Sequence, residues 1–207
     1  PIMCGSAYEY CKEVKILKRE VERCAPLYGA AVTSDSSDFP SHGIHPIYWV
    51  HKVFGSDVAR ISYFTRDWKK VHGSVHMEYR PKKEGDAPFY VNIVYMQNTP
   101  TQSWGSMSIV GGGGSEIVNI LIEVGTEEVF HFFFLPSVLA MQKFFESGEM
   151  PEPTESILSK TRLFLSAWKS HVDHHGAPVD PSELPRDWTG PHMYFTRPDR
   201  YPAGFFG

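Results

Sequence analysis

The spacing of apolar residues changes twice along this chain, and that change limits what the chain can fold into. Residues 6–24 place apolar side chains at three- and four-residue intervals, which predicts an amphipathic N-terminal helix. Residues 47–134 consist of short β-branched and aromatic runs, which are typical of strands. Helical spacing returns at 136–147 and 154–172. We therefore expect a sheet with helices at both ends of the sequence.

The strand-like region divides into seven runs separated by turn-forming residues. The runs are 47–54, 58–65, 73–79, 89–97, 104–110, 116–124 and 128–134. Short connections favour antiparallel neighbours. Residues 26–46, rich in Gly, Ser, Asp and Pro, are interpreted as a loop. The predicted fold is α+β: a seven-stranded antiparallel twisted sheet flanked by one N-terminal and two C-terminal helices.

The last 35 residues differ in composition from the rest, and we predict two regions, a domain over 1–172 and an extended interaction tail over 173–207. Prolines in the tail remove backbone donors and oppose regular structure. Its aromatic and arginine side chains are expected to bind partner proteins. These residues are Trp188, Tyr194, Phe195, Arg197, Arg200, Tyr201, Phe205 and Phe206.

Charge and cysteine content narrow the class of protein. The chain has 20 Lys and Arg residues and 24 Asp and Glu residues. Its net charge of -4 therefore offers no general attraction for nucleic-acid phosphates. No apolar run has the length of a membrane span. The three cysteines, an odd number confined to the first 24 residues, suit a reducing compartment. The first residue, Pro1, is expected to follow a removed presequence or to reflect how the chain was expressed.

The order of predicted elements resembles the mitochondrial acidic matrix protein family over about residues 6–172. The residues that carry the resemblance are IYWVHKVFGSDVARISYFTRDWKKVHGSVHMEY, FYVNIVYMQN, EIVNILIEV and VLAMQKFFESG. The resemblance implies a mitochondrial matrix protein that forms a homo- or hetero-trimer and binds other protein subunits. It transfers no catalytic residue.

Few residues suggest chemistry. The cluster His171, Asp173, His174 and His175 is interpreted as a polar helix end, because no third metal ligand can be assigned. His42 and His45 form a short pattern that occurs often by chance. The glycines of 111–114 lack the lysine and following helix of a phosphate loop, and predict a hairpin turn or an engineered linker. We therefore assign no catalytic residue, cofactor or metal.

These observations favour a non-catalytic scaffolding subunit in the mitochondrial matrix, part of a ribosomal, respiratory or ATP synthase type of assembly. The alternative is a single-stranded RNA- or DNA-binding protein resembling the Whirly type, in which aromatic and basic side chains bind the nucleic acid. Its candidate residues are Tyr48, Trp49, Tyr63, Phe64, Trp68, Lys69, Lys70, Arg80, Lys82 and Lys83. A small-molecule enzyme is a third possibility, for which the sequence names no residues.

Overall fold

The computed structural model describes residues 5–35, 39–66, 73–83, 85–96, 103–121, 133–188 and 190. Its helices are α1 (Lys12–Arg23), α2 (Phe39–His42), α3 (Ile44–Phe54), α4 (Leu135–Ser147) and α5 (Thr154–His174), with 3-10 turns at Ala7–Glu9 and Pro181–Glu183. Its strands are β1 (Leu27–Asp35), β2 (Val58–Thr65), β3 (Gly73–Tyr79), β4 (Phe89–Met96), β5 (Ser103–Gly111) and β6 (Gly114–Leu121). No helix within these ranges is long and apolar enough to cross a membrane.

The described strands form one mixed six-stranded sheet in the order β2-β3-β4-β1-β5-β6. The first strand lies inside the sheet, where Val32 pairs with Ile93 of β4 in parallel. On its other side Val32 pairs with Met107 of β5 in antiparallel orientation. The prediction of a seven-stranded antiparallel sheet is therefore wrong.

Two segments account for this error. Residues 47–54, predicted as a strand, belong to α3, whose side chains are buried around most of its surface, including Ile47, Trp49 and Val50. A helix buried on all sides has no polar stripe, so its periodicity cannot be distinguished from that of a strand. Residues 27–35, predicted as loop, form β1, where small residues allow close approach of the neighbouring strand: a Cβ on Gly29 would lie 3.0 Å from the backbone oxygen of Tyr90.

The other predicted elements largely agree with the structure. The N-terminal helical segment forms the first 3-10 turn and α1, and the two C-terminal helices are α4 and α5. Five predicted strands correspond to β2, β3, β4, β5 and β6. The seventh predicted strand, 128–134, lies outside the described residues except for Phe133 and Phe134, which lead into α4.

The helices cover one face of the sheet. Phe39 of α2 stacks on Tyr63 of β2 with ring centroids 3.8 Å apart, and on Trp168 of α5 at 5.5 Å. The opposite face carries exposed residues such as Tyr90 and Ile117. This arrangement fixes the positions of α2 and α3 on the packed side of the sheet.

The predicted hairpin turn at the glycine run is confirmed, since Gly111 and Gly114 pair at the end of β5 and β6. The turn packs against the end of α1. A Cβ on Gly111 would lie 1.9 Å from the backbone oxygen of Cys24, and one on Gly113 would lie 2.0 Å from that of Arg23. Glycine is therefore required at these positions by the packing itself.

Candidate functional site

The candidate site lies where the parallel strands β1 and β4 end. Their last paired residues, Asp35 and Met96, are at the same edge of the sheet. The chain continues from β1 through residues 36–38 into α2 and then α3. Ligand sites of open sheets with parallel strands are found outside the carboxyl ends of those strands. The residues of α2 and α3 at this edge are therefore the first place to look for chemistry.

Gly43 separates the two helices and fixes how they meet. A Cβ at this position would lie 2.4 Å from Cδ2 of Phe39 and 2.7 Å from its backbone oxygen, so only glycine fits. The hydroxyl of Tyr95, from β4, donates a hydrogen bond of 2.9 Å to the Gly43 carbonyl. The break places His42 at the end of α2 and His45 in the first turn of α3.

The imidazole of His45 is half-buried and held by the N-terminal segment. Its Nδ1 lies 3.0 Å from Oγ of Ser6, and its ring stacks on Tyr8 with centroids 6.3 Å apart and an angle of 18°. Burial lowers the pKa of His45 to about 4, and the charge of His42 adds to this. The partial positive charge of a helix N-terminus also disfavours an imidazolium. His45 is therefore neutral at pH 7.

A second imidazole lies beside it. The rings of His42 and His45 have centroids 5.9 Å apart and an angle of 64°. His42 is exposed, whereas His45 is half-buried. Among the described residues, none forms a hydrogen bond with Nε2 of His45. A neutral, oriented imidazole near the surface can accept a proton from a hydroxyl group.

A buried ion cluster lies behind Ser6. Nζ of Lys160, from α5, is 2.7 Å from Oε1 of Glu9 and also contacts Oε1 of Glu152. The side chain of Lys160 is fully buried. Burial raises the pKa of Glu9, while the hydrogen bond from Lys160 opposes this rise. The cluster joins α5 to the first 3-10 turn.

The residues predicted for partner binding are placed by the structure only in part. Trp188 packs on its own domain, donating a hydrogen bond of 2.9 Å to Oδ2 of Asp173. Lys169 lies 5.7 Å from the centroid of its ring. The other predicted anchors, Tyr194, Phe195, Arg197, Arg200, Tyr201, Phe205 and Phe206, lie outside the described residues. Binding of partners by the tail remains a prediction.

The structure buries some of the side chains proposed for nucleic-acid binding and exposes others. Tyr48, Trp49 and Tyr63 are buried in the core. Arg80 lies in ion pairs with Asp57 and Asp180. Trp68, Lys69 and Lys70 lie outside the described residues. The packed core explains why the buried aromatics cluster in the sequence. Phe64, Lys82 and Lys83 are exposed, and binding of RNA or DNA remains a prediction.

The C-terminal histidine cluster has other contacts. The ring of His171 lies 5.4 Å from that of Tyr63, and Asp173 accepts hydrogen bonds from Lys169 and Trp188. Within the described ranges, no group of three His, Cys, Asp or Glu side chains could hold a metal ion.

Sequence reasoning gave little weight to His42 and His45. Two signals could have identified them: the pattern His-Gly-X-His, and its position after a strand and at the start of a helix. The strand was not recognised because residues 27–35 were interpreted as loop. The contact with Ser6 leaves no signal in the sequence.

No family model and no curated sequence matches the chain. Solved structures do match. An oxidoreductase from Agrobacterium radiobacter in complex with NAD+, L-tartaric acid and magnesium is 15% identical with a TM-score of 0.64, covering 88% of this chain and 65% of that one. A probable dehydrogenase from Thermotoga maritima is 15% identical with a TM-score of 0.65, over 89% and 66%. A scyllo-inositol dehydrogenase from Lactobacillus casei with bound NAD(H) and scyllo-inositol is 12% identical with a TM-score of 0.60, over 85% and 63%.

The similarity between this chain and these solved structures is a similarity of fold. The chain spans slightly less than two thirds of the length of these structures. The prediction of a non-catalytic mitochondrial scaffolding subunit depended on a seven-stranded antiparallel sheet that the chain does not have. The fold is instead shared with solved oxidoreductases and dehydrogenases, two of them with NAD bound, and the scaffolding prediction is wrong. Matrix location and a trimer remain predictions that these comparisons do not test.

Proposed function

We propose that this chain is the substrate-binding part of an oxidoreductase, in which His45 accepts the proton of a substrate hydroxyl. The observation that carries the proposal is the neutral imidazole of His45, held by Ser6 at the edge where β1 and β4 end. The fold shared with dehydrogenases supports the reaction class. The predictions of no enzymatic activity and no catalytic residue are thereby replaced.

The described residues do not fit a dinucleotide. The whole sequence contains no Gly-X-Gly-X-X-Gly pattern, which normally provides close backbone approach to a pyrophosphate. The glycines of 111–114 lead into β6 rather than a helix, and their turn lies against α1 with no room for a Cβ. We therefore assign no step to NAD on these residues. Nor do the described residues offer a set of ligands for magnesium.

The substrate class we propose is a small molecule with several hydroxyl groups. L-tartaric acid and scyllo-inositol are named with two of the similar structures, and both carry hydroxyl groups on neighbouring carbon atoms. Oxidation of such a group removes the hydroxyl proton, which a neutral imidazole accepts, and a hydride from carbon, which an oxidised dinucleotide bound elsewhere in the protein would accept. A pKa of about 4 keeps His45 neutral at physiological pH, so its ring has a nitrogen lone pair that can accept a proton.

Proton transfer to His45 requires the tautomer in which Nδ1 carries the ring proton. The proposal assigns the Nδ1–H of His45 as donor to Oγ of Ser6, which also accepts from the Tyr8 backbone N–H over 3.4 Å. In that tautomer Nε2 is unprotonated and accepts the proton from the substrate hydroxyl. The second imidazole, His42, lies beside His45 on the exposed side.

Turnover by the natural full-length protein tests the proposal. NADH or NADPH formation is measured with a panel of inositols, sugar acids and tartrate. We expect oxidation of at least one of these compounds, with kcat lowered roughly 100- to 10,000-fold in His45→Asn, because a general base contributes a factor of that size.

His174→Asn is the matched control, since His174 is exposed at the end of α5. It should keep parental kcat. Parental turnover in His45→Asn would contradict the role of His45. Absence of turnover with either dinucleotide across the panel would contradict the reaction class.

A further inference from the structure

We propose that Lys160 and Glu9 are positioning residues for His45, acting through Ser6 on one side and through Tyr48 on the other. This inference rests on the proposed function of His45. It assigns a role to a buried ion cluster that no step of proton transfer touches.

The first path runs through the 3-10 turn. Oε2 of Glu9 accepts a hydrogen bond of 2.8 Å from the backbone N–H of Ser6, and it lies 3.0 Å from Nζ of Lys160. The Glu9 N–H in turn donates to the Ser6 carbonyl over 2.9 Å. The Glu9 carboxylate that accepts from the Ser6 N–H and the Ser6 hydroxyl that accepts from the backbone of the turn form a capping box, which fixes Ser6. Lys160 thus anchors the residue whose hydroxyl holds Nδ1 of His45.

The second path runs through α3. Nζ of Lys160 lies 4.5 Å from the centroid of the Tyr48 ring. Tyr48 is one helical turn after His45, and its hydroxyl lies 3.0 Å from Oγ1 of Thr161, next to Lys160 in α5. A shift of Lys160 would therefore move both Ser6 and the helix that carries His45. The ring orientation depends on both.

Stability alone does not account for this cluster. The side chains of Lys160, Glu9 and Glu152 are 0%, 1% and 5% exposed, so all three charges have lost their water. Removing charges from water often costs as much as their attraction returns, and apolar replacements of similar volume can be more stable. A fixed geometry is what such a cluster provides that apolar packing does not. The geometry that it fixes here is that of Ser6 and Tyr8, both in contact with His45.

Glu9→Gln is the informative change. It keeps the size of the side chain and leaves the buried ammonium of Lys160 paired with one carboxylate, that of Glu152. Ser6→Ala removes the contact with Nδ1 of His45 and the bond that Oγ accepts from the Tyr8 N–H, and Ser6→Thr restores the hydroxyl. The readout is the ring nitrogen spectrum of His45 in the labelled protein, identified by comparison with His45→Asn.

We expect one tautomer of His45 in the parent protein and in Ser6→Thr. In Ser6→Ala and in Glu9→Gln we expect ring nitrogen shifts that average two tautomers. Lys169→Met, on the same helix but bound to Asp173 near the surface, should leave the His45 signals unchanged. If Glu9→Gln fails to fold, Lys160→Arg takes its place, because it keeps the charge but moves the group that Glu9 binds.

His45 signals that stay parental in Glu9→Gln or its replacement would overturn the inference. In the turnover assay, Ser6→Ala should lower kcat about 10- to 100-fold with little change in KM, as expected for misplacement of a reacting group. The ring spectrum needs neither substrate nor dinucleotide. A change of tautomer together with parental turnover in His45→Asn would therefore refute the proposed function but not the positioning.

Discussion

Oγ of Ser6 lies 3.0 Å from Nδ1 of His45, although the two residues are 39 positions apart. The contact joins the first 3-10 turn to the N-terminus of α3. Because Ser6 is itself tied to Glu9 and Lys160, the orientation of the candidate base depends on three segments distant in sequence. Changes far from the sheet edge are therefore expected to alter the site.

Stability should fall as the pH drops below about 6.5, partly because of His51. Burial lowers the pKa of His51 to about 4, and the charge of Lys160 adds to this. Between pH 6.5 and about 4 the imidazole of His51 binds a proton in the unfolded chain but not in the folded chain. The contribution of His51 to the free energy of unfolding is therefore complete above pH 6.5 and is lost on acidification. Its size is on the order of 3 kcal/mol at most.

Denaturant unfolding of the parent and of His51→Asn at several pH values checks this prediction. The free energy of unfolding should change less steeply between pH 6.5 and 4 in the variant than in the parent. Equal slopes would show that His51 takes up its proton in the folded state. His174→Asn serves as the control, because His174 is exposed.

The sequence predicts helices and strands where one side of an element is wet and the other is buried. The amphipathic face of α1, with Val14, Leu17 and Val21 buried, is such a case. The prediction fails where both sides are buried, as in α3, and where small residues form a central strand, as in β1. Because of these two errors, the parallel pairing of β1 with β4 was not predicted.

The candidate site was harder to predict than the fold. Its histidines are close in sequence, but the property that distinguishes them, the lowered pKa of His45, comes from burial against Tyr8 and from the neighbouring His42. Burial of this kind is set by tertiary packing. Lys160 gave no signal either, since a lysine on an amphipathic helix is normally exposed.

Gly43→Ala should destabilise the protein and disturb both histidines. The added Cβ would lie 2.4 Å from Cδ2 of Phe39, a core ring that cannot move without disturbing Tyr63 and Trp168. We expect a loss of roughly 2–4 kcal/mol in denaturant unfolding. Gly85→Ala is the control, with a φ of +88° but nothing within 4 Å, and should cost about 1 kcal/mol. An equal cost in both variants would contradict the close packing at Gly43.

Truncating core aromatics on α5 should cost roughly 3–5 kcal/mol. Phe164 is 4% exposed and Trp168 is 2% exposed, and both stack on Phe39. Phe145→Ala, on α4, is the matched control because its side chain is 77% exposed. It should change the free energy of unfolding by less than about 0.5 kcal/mol. A loss below about 1 kcal/mol for Phe164→Ala would place this ring outside the core.

Shortening the chain at two positions tests whether residues 173–188 stabilise the domain. Val179 and Ile61 exchange two backbone hydrogen bonds of 2.9 Å, and Trp188 packs against α5. A chain ending at residue 172 loses these contacts, and its unfolding midpoint should fall by roughly 5–10 °C. A chain ending at residue 190 keeps them and should unfold near the parental temperature. Equal midpoints for the two shortened chains would contradict the packing of residues 173–188.

The most direct test of the central claim is a ring titration of the histidines in the labelled chain, with and without scyllo-inositol or L-tartrate. We predict a midpoint for His45 of about 4 in the free protein. Added ligand should shift the ring signals of His45 and leave those of His174 in place. A His45 midpoint near 6.5, with ring signals that respond to neither compound, would contradict the assignment of His45 as the neutral proton acceptor for a hydroxylated substrate.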